Sequence, residues 1–334
     1  MKVIHFNRKK RLNSNYSIEG IYSSLRNTLN DKIKIATIEC PFTSNGFFRR
    51  LYNCIYAAFK QEDINHVTGD VHYLNLFFKK KGSVLTIHDC GPLYRLKGIK
   101  HFILKLFWYT IPVSRAEYIV AVSKSTKTEI LKYVKCEQDK IKVIYNPVSP
   151  LFVRADKEFN KGNPVILQVG TALNKNLSRL IKALQGVNCK LVIIGKLSTE
   201  QLEKLAANKI DYKNYIGLTG EEVFEQYKAC DILAFVSTHE GFGMPIIEAN
   251  AVGRPVITGN LLSMPEVAGD AACIVDPFNS DEIKKGIQKI INDDIYRNDL
   301  IEKGYRNVQK FNRDIISNQY FELYWKLFLD REEG

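Results

Sequence analysis

The chain has 334 residues, of which 45% are hydrophobic and 25% charged. These values lie near the average of folded globular proteins and exclude a disordered or fibrous chain, and the length suits two domains of about 150 residues each. The net charge of +12 is unevenly placed: residues 1–150 hold 25 Lys and Arg against 11 Asp and Glu, whereas residues 151–334 hold 23 against 25.

In chain order, Lys2–Phe6 reads as an apolar strand. Ile18–Leu29 has helical spacing, with Ser17 placed to cap it and Glu19 in its first turn, where the helix dipole favours an acid. Ile33–Ile38 reads as a strand and Phe47–Phe59 as a helix. Val84–Ile87 is a strand ending at His88-Asp89, and Ile99–Ile111 is helical and stops at Pro112. Tyr118–Val122 is a strand, Ser123 caps a helix running to about Val134, and Ile141–Ile144 is a strand closed by Asn146-Pro147. The second half repeats the pattern. Strands are expected at Val165–Val169, Leu191–Ile194, Tyr215-Ile216, Ile232–Val236, Val256-Ile257 and Ala272–Val275. Helices are expected at Leu177–Leu184, Leu202–Ala207, Glu221–Tyr227 and Pro245–Ala251, and then over most of the chain to Phe328.

This alternation predicts an α/β protein with two doubly wound, Rossmann-like domains, divided near Pro150 to Pro164. Open parallel sheets bind ligands beyond the carboxyl ends of their strands, so two facing sheets predict a ligand cleft between the domains.

Missing motifs narrow the chemistry. The only G-x-G, Gly241–Gly243, runs into Met-Pro-Ile, which argues against a nicotinamide enzyme. There is no P-loop, no H-E-x-x-H and no D-x-D. Cys40, Cys54, Cys90, Cys136, Cys189, Cys230 and Cys273 are scattered without a C-x-x-C pair, which argues against a disulfide framework or zinc ribbon and suits reduced cytoplasmic thiols. Neither a metal nor a resident cofactor is expected. The start, MKVIHFNRKKRL, lacks the order of a signal peptide, and no apolar run reaches the ~18–20 residues of a membrane span.

The most informative segment is His239-Glu240-Gly241-Phe242-Gly243-Met244-Pro245-Ile246-Ile247-Glu248-Ala249, after an apolar strand. Gly241 and Gly243 let the backbone turn tightly, and Pro245 suits the first turn of a helix. Free N–H groups near Gly243–Ile246 then suit phosphate or sugar oxygens, with Glu240 and Glu248 reaching different parts of one extended ligand. A capped helix with two solvated acids accounts for the same residues.

The segment resembles the E-x7-E motif of retaining GT-B glycosyltransferases of family 4. Other stretches match in the right order. Val169-Gly170-Thr171 with Asn174-Lys175-Asn176-Leu177 resembles the loop that holds the donor diphosphate. Gly253-Arg254-Pro255-Val256-Ile257 and Met264–Ala272 resemble the stretches that follow, Val122–Thr126 the start of the first domain's final helix, and Ile87-His88-Asp89 an active-site loop. The likeness covers the second domain thoroughly and the first thinly.

The resemblance implies a GT-B fold with an acceptor-side domain at 1–152 and a nucleotide-sugar-binding domain at 153–313. Residues 314–334 are implied to form a helix packing back on the first domain. It implies retaining, metal-independent transfer from a UDP- or GDP-linked sugar to a glycan or lipid-linked acceptor. Glu240 is implied to hold donor-sugar hydroxyls and Glu248 the ribose, while the backbone around Gly241, Phe242, Gly243 and Met244 meets sugar and phosphate. Lys175, beside Gly170 and Thr171, is implied to offset the leaving diphosphate, a task for a permanent cation. His88 is implied to line the reaction centre.

Two departures stand out. Thr171 occupies a position where many members carry Arg, which leaves Lys175, backbone dipoles or Lys196 to neutralise the diphosphate. Arg8-Lys9-Lys10-Arg11, with Asn15, Tyr16 and Ser17 as acceptor-side candidates, replaces a Gly-Gly loop; its cations either grip a phosphorylated acceptor or form a solvated loop. Aromatic and basic residues interleave at Phe47–Tyr52 and along Ile99–Tyr109, as on a helix lying on an anionic bilayer. Buried packing accounts equally for Phe102, Leu106 and Tyr109. The basic first domain therefore suggests a cytoplasmic protein, peripheral on the inner face of a membrane, with nucleic acid a weaker partner. A nucleotide-sugar epimerase and a non-catalytic basic binding module are the alternatives.

Overall fold

The computed structural model describes residues 1–9, 18–29 and 32–332. The Ser17 cap and the acceptor-side candidates Asn15, Tyr16 and Ser17 lie outside these residues. The chain divides into two compact units, one of residues 1–147 with 313–334 and one of residues 148–312.

In the first unit six parallel strands lie in the order β2-β1-β3-β4-β5-β6. They are β1 (Lys2–Asn7), β2 (Lys34–Glu39), β3 (Ile64–Val67), β4 (Ser83–Ile87), β5 (Tyr118–Ala121) and β6 (Ile141–Val143). The helices are α1 (Ile18–Leu29), α2 (Phe47–Ala58), α3 (Gly91–Arg95), α4 (Gly98–Leu104), α5 (Ile111–Arg115) and α6 (Lys124–Tyr133). The central strands β3 and β4 are buried at every residue, as helices on both faces of a parallel sheet require, while the edge strand β2 is largely open. Helix α1 buries Tyr22, Leu25 and Leu29 on one stripe, and Ser123 caps α6 by accepting from the Thr126 N–H at 2.9 Å.

Two expectations are corrected here. The helix around residues 99–111 does not stop at Pro112. It widens to a π segment over Lys105–Thr110, in which the Ile111 N–H reaches the Leu106 carbonyl, and α5 continues to Arg115. Pro112 falls at the junction of the π segment and α5, and the Trp108 carbonyl four residues before it lies 3.0 Å from His72 Nδ1 instead of meeting a helical N–H. Along this stretch only Tyr109 is buried as a core residue; Leu106 is half-buried and Phe102 is exposed.

The second unit holds β7 (Val165–Val169), β8 (Lys190–Ile194), β9 (Tyr212–Tyr215), β10 (Ile232–Phe235), β11 (Val256–Gly259) and β12 (Cys273–Val275). Its parallel sheet has the order β12-β11-β10-β7-β8-β9. Around it pack α7 (Leu177–Leu184), α8 (Thr199–Ala207), α9 (Gly220–Ala229), α10 (Met244–Val252), α11 (Ser263–Ala268), α12 (Ser280–Asn292) and α13 (Asp294–Val308). Capping boxes at Ser198/Gln201 and Thr219/Glu222 start α8 and α9. Helix α12 lies so close to the sheet that a Cβ on Gly286 would come within 2.7 Å of Ile257.

The helix α14 (Arg313–Glu332) belongs to the first unit. Ile316, Tyr320, Leu323, Tyr324 and Leu327 share a core with Val3, Tyr22, Leu25 and Ile64. A buried polar chain runs through that core. The Tyr324 hydroxyl meets His66 Nδ1 at 2.6 Å and His5 Nε2 at 3.0 Å. His66 Nε2 meets Thr86 Oγ1, which meets the Tyr22 hydroxyl, which meets the Tyr320 hydroxyl. Burial holds His66 down to about 3 and lowers His5 as well, so both rings stay neutral in the folded protein.

Candidate active site

Strand order locates the site in the second unit. β7 and β10 are hydrogen-bonded neighbours, Ile166 opposite Ile232, yet the chain runs from β7 outward through β8 to the edge strand β9 and then crosses back to β10 on the other side of β7. This reversal is the topological switch point, where loops diverge and leave a crevice at the carboxyl edge. The loops leaving β7 and β10 there are 170–176 and 236–243, which carry most of the expected donor residues.

The first loop turns at Gly170, at φ +89°. A Cβ there would lie 3.1 Å from the Lys175 stem, so the close approach of lysine to backbone needs glycine. Gln168 Nε2 donates to the carbonyls of both Gly170 and Lys175 at 3.1 Å and closes the loop from beneath. The Thr171 hydroxyl donates to the Lys196 carbonyl at 2.6 Å, so it is spent within the fold. Asn176 sits in the left-handed region at φ +61°, and its amide donates to the Val236 and Pro277 carbonyls.

The second loop is braced against the first. The Thr238 N–H donates to the Asn174 carbonyl at 2.8 Å, and the Asn174 amide donates to the His239 carbonyl at 2.9 Å and to Glu240 Oε1 at 3.2 Å. The Lys175 ammonium lies 2.7 Å from the same Glu240 oxygen and 4.8 Å from the centre of the Phe235 ring. The pair is partly open, with 22% and 14% of the two side chains exposed. Ser263, opening α11, places its hydroxyl 2.9 Å from the Glu240 carbonyl and 2.8 Å from that of Phe242.

Gly243 ends the loop at φ +111° and precedes α10, with Pro245 in the first turn. Gly241 is not in the left-handed region, so only one of the two glycines is required by backbone conformation. The expected run of free N–H groups is also shorter, because the Ile246 N–H donates to the Gly243 carbonyl at 3.0 Å. Phe242 is buried, edge-on to Phe311 at 5.6 Å.

Glu248 lies inside α10, whose residues from Pro245 to Val252 are all buried. The Tyr227 hydroxyl of α9 donates to Glu248 Oε2 at 2.6 Å. Burial pushes this carboxyl up from its ordinary 4.5 to about 7, against the opposing effects of the Tyr227 hydroxyl and the Lys175 charge. The alternative of two solvated acids is therefore corrected: Glu240 is paired and Glu248 is buried.

His88 belongs to the first unit and follows β4. Its Nε2 faces the Thr68 carbonyl at 2.8 Å; a carbonyl only accepts, so Nε2 carries the proton and Nδ1 keeps its lone pair. Burial holds the imidazole below its ordinary range. Asp89 Oδ1 accepts from the Gly91 N–H at 2.7 Å, and the Asp89 charge opposes the effect of burial on His88.

Gly170, Thr171, Lys175, Glu240, Gly241, Phe242, Gly243, Met244 and Glu248 thus gather at one sheet edge, while His88 lies in the other unit. Sequence reasoning missed Gln168, Tyr227 and Ser263, which hold these loops and the Glu248 carboxyl. Ser263 carries a weak signal as a serine at a helix start. A cavity of about 270 Å³ at the opposite, amino edge of the same sheet is lined by Lys157, Asp231, Arg254 and Arg297. Its charges are already engaged: Lys157 pairs with Asp231, and Arg254 donates to the carbonyls of Tyr227, Lys228, Val252 and Gly253. Among the described residues no group of three or more His, Cys, Asp or Glu is arranged to hold a metal ion, and no helix is long and apolar enough to cross a membrane.

Comparison with known proteins agrees with this layout. The family model described as glycosyl transferases group 1 matches residues 152–307, and that described as glycosyltransferase family 4 matches residues 29–150. The capsular polysaccharide biosynthesis glycosyltransferase CapM of Staphylococcus aureus is 29% identical over 273 residues, covering 72% of this chain and 70% of that protein. Among solved structures, sucrose-phosphate synthase of Thermosynechococcus elongatus superposes with a TM-score of 0.80 at 16% identity, over 99% of this chain and 100% of that one. Anabaena HepE in complex with UDP and glucose superposes with a TM-score of 0.75 at 16% identity, over 96% and 98%. Two Rossmann-like sheets, family matches over residues 29–150 and 152–307, and a relative named as a glycosyltransferase lead to one statement: the chain belongs to the family 4 glycosyltransferases of GT-B fold.

Proposed function

We propose that the protein is a retaining, metal-independent transferase that moves a sugar from a UDP- or GDP-linked donor to a glycan or lipid-linked acceptor of a surface polysaccharide or glycoconjugate. Residues 148–312 form the donor unit, and the remainder carries the acceptor side with His88. The observation that carries this reading is the Lys175–Glu240 pair at the switch point of the second sheet. When the donor enters, the Lys175 ammonium passes from Glu240 to the diphosphate, and Glu240 is freed to accept from sugar hydroxyls. Glu248 accepts from the ribose. The N-terminus of α10 adds its partial positive charge. The bond from the sugar's anomeric carbon to the diphosphate oxygen breaks and the bond to the acceptor oxygen forms on the same face. The acceptor proton ends on the departing diphosphate, and preorganised positive charge stabilises that leaving group.

The matching of CapM, named for capsular polysaccharide synthesis, supports the acceptor class. A peripheral position on an anionic membrane is supported by the outer face of α2 and the residue that ends it, where Phe48, Tyr52, Ile55 and Phe59 recur at helical spacing and stay exposed, Phe48 and Phe59 by more than 80%. Arg50 stacks on Trp108 beside it, and Ile99 and Phe102 of α4 are also exposed. Aromatic rings with flanking cations suit the headgroup boundary.

A thermal-shift panel of UDP-, GDP- and ADP-sugars tests the donor reading, because a ligand that binds only the native state raises its apparent stability. One sugar nucleotide is expected to stabilise the wild type and not Lys175→Ala or Glu248→Ala. Unchanged stabilisation of both variants would falsify the site. Product analysis with donor alone separates transfer from epimerisation, which converts the donor without an acceptor. Flotation with anionic vesicles at low salt tests the membrane face: the wild type floats, and Phe48→Glu with Phe59→Glu stays below.

A further inference from the structure

We propose, on the basis of the donor reading above, that Tyr227 is a positioning residue: its hydroxyl ties Oε2 of Glu248 and leaves Oε1 presented to the ribose of the nucleotide. The distance is 2.6 Å, and among the described residues Oε1 of Glu248 makes no hydrogen bond. A buried carboxyl with one oxygen held and the other unspent has a fixed orientation and remaining capacity to accept from hydroxyl groups.

A purely architectural role for this bond is the competing explanation, and the surroundings separate the two. Helices α9 and α10 are already joined without the tyrosine hydroxyl. Arg254 donates to Tyr227 and Lys228 carbonyls at the end of α9 and to Val252 and Gly253 carbonyls at the end of α10. The Tyr227 ring is packed edge-on by Phe152 at 5.2 Å, so its core contribution lies in the ring. The hydroxyl is left with Glu248 as its partner. Burial also pushes that hydroxyl well above its ordinary range, so it remains a donor throughout the accessible pH scale. The groups that act on Glu248 are Tyr227 from α9 and Lys175 from the loop after β7, whose ammonium is shared with Glu240 from the loop after β10.

The experiment is titration calorimetry of UDP, GDP and ADP on the full chain from pH 5.5 to pH 9. It compares wild type, Tyr227→Phe, Glu248→Gln and the double variant. The terminal phosphate of the nucleotide titrates identically in all four, so differences among them belong to the protein. For the nucleotide that the wild type binds best, affinity is expected to rise as Glu248 ionises near pH 7. Tyr227→Phe keeps the ring, weakens binding about tenfold at pH 7.5, and moves the midpoint to higher pH, as loss of a hydrogen bond to a charged group predicts. In the Glu248→Gln background, loss of the hydroxyl changes affinity less than twofold. Tyr227→Phe binding with wild-type affinity and midpoint, with only its melting temperature lowered, overturns the positioning role and leaves the donor reading intact. A wild type that binds none of the three nucleotides overturns the donor reading, and this role with it.

Discussion

Replacing Glu248 by Gln removes a buried ionisable group without changing its volume, and the effect on stability follows from the local geometry. The folded carboxyl titrates near 7 and the unfolded one near 4.5. Below pH 4.5 both states are protonated and the group is neutral toward folding. Between these values the unfolded chain releases its proton and the folded chain does not, so wild-type stability falls as pH rises, and above 7 the loss is complete. A shift of this size corresponds to roughly 3 kcal/mol, of which about 2.5 kcal/mol accrues between pH 5 and pH 8. The amide of the Glu248→Gln variant has no proton to lose and keeps an oxygen for the Tyr227 hydroxyl. Urea unfolding of both proteins at several pH values should therefore show Glu248→Gln gaining on the wild type by that amount from pH 5 to pH 8. Parallel curves for the two proteins would mean that the carboxyl titrates in ordinary solvent, and the buried environment assigned to it would be wrong.

Three further outcomes are expected. Gly253→Ala places a Cβ 1.9 Å from the Tyr305 hydroxyl at φ +82°, so it should cost about 3 kcal/mol or more in denaturant unfolding. Pairing it with Tyr305→Ala should recover the steric part and leave the backbone strain; no recovery would place the damage elsewhere. Lys175→Met keeps the apolar stem over Gly170 and removes only the charge, so calorimetry should show nucleotide affinity reduced about tenfold or more with the melting temperature nearly unchanged. Tyr324→Phe leaves His5 and His66 without their shared hydroxyl and should destabilise the protein by about 1–3 kcal/mol, which chemical denaturation will register.

The alternation of strands and helices was legible because most strands are short apolar runs bounded by turn residues, as in Val165–Val169 and Ile232–Phe235. β3 escaped notice because Asn65 and His66 stand in the middle of Ile-Asn-His-Val. Those polar side chains are buried only because partners elsewhere in the fold satisfy them: Glu62 for Asn65, and Tyr324 and Thr86 for His66. The continuation through Pro112 was hidden for a similar reason, since a π segment has no composition of its own. At the site, the residues of the 170–176 and 239–248 stretches were recognisable as a pattern. Their pairing was not, because Lys175 and Glu240 meet only when β7 and β10 become neighbours. Tyr227 reads in sequence as one more apolar position on an amphipathic helix, and nothing local marks its hydroxyl as the partner of a carboxylate 21 residues away.

The return of α14 to the first unit has a consequence for the order in which the molecule is made. Val3, Tyr22, Leu25 and Ile64 share their core with Ile316, Tyr320, Leu323, Tyr324 and Leu327, so that core cannot close until the ribosome has passed residue 327. Residues 148–312, by contrast, are contiguous and emerge as a complete set. The second unit can therefore finish folding first, while the earlier-synthesised sheet waits with one face uncovered. His66 and Tyr22 wait with it, lacking the Tyr324 and Tyr320 hydroxyls that complete their polar chain. During that interval the first half, not the second, is the part whose apolar surface stays open to solvent.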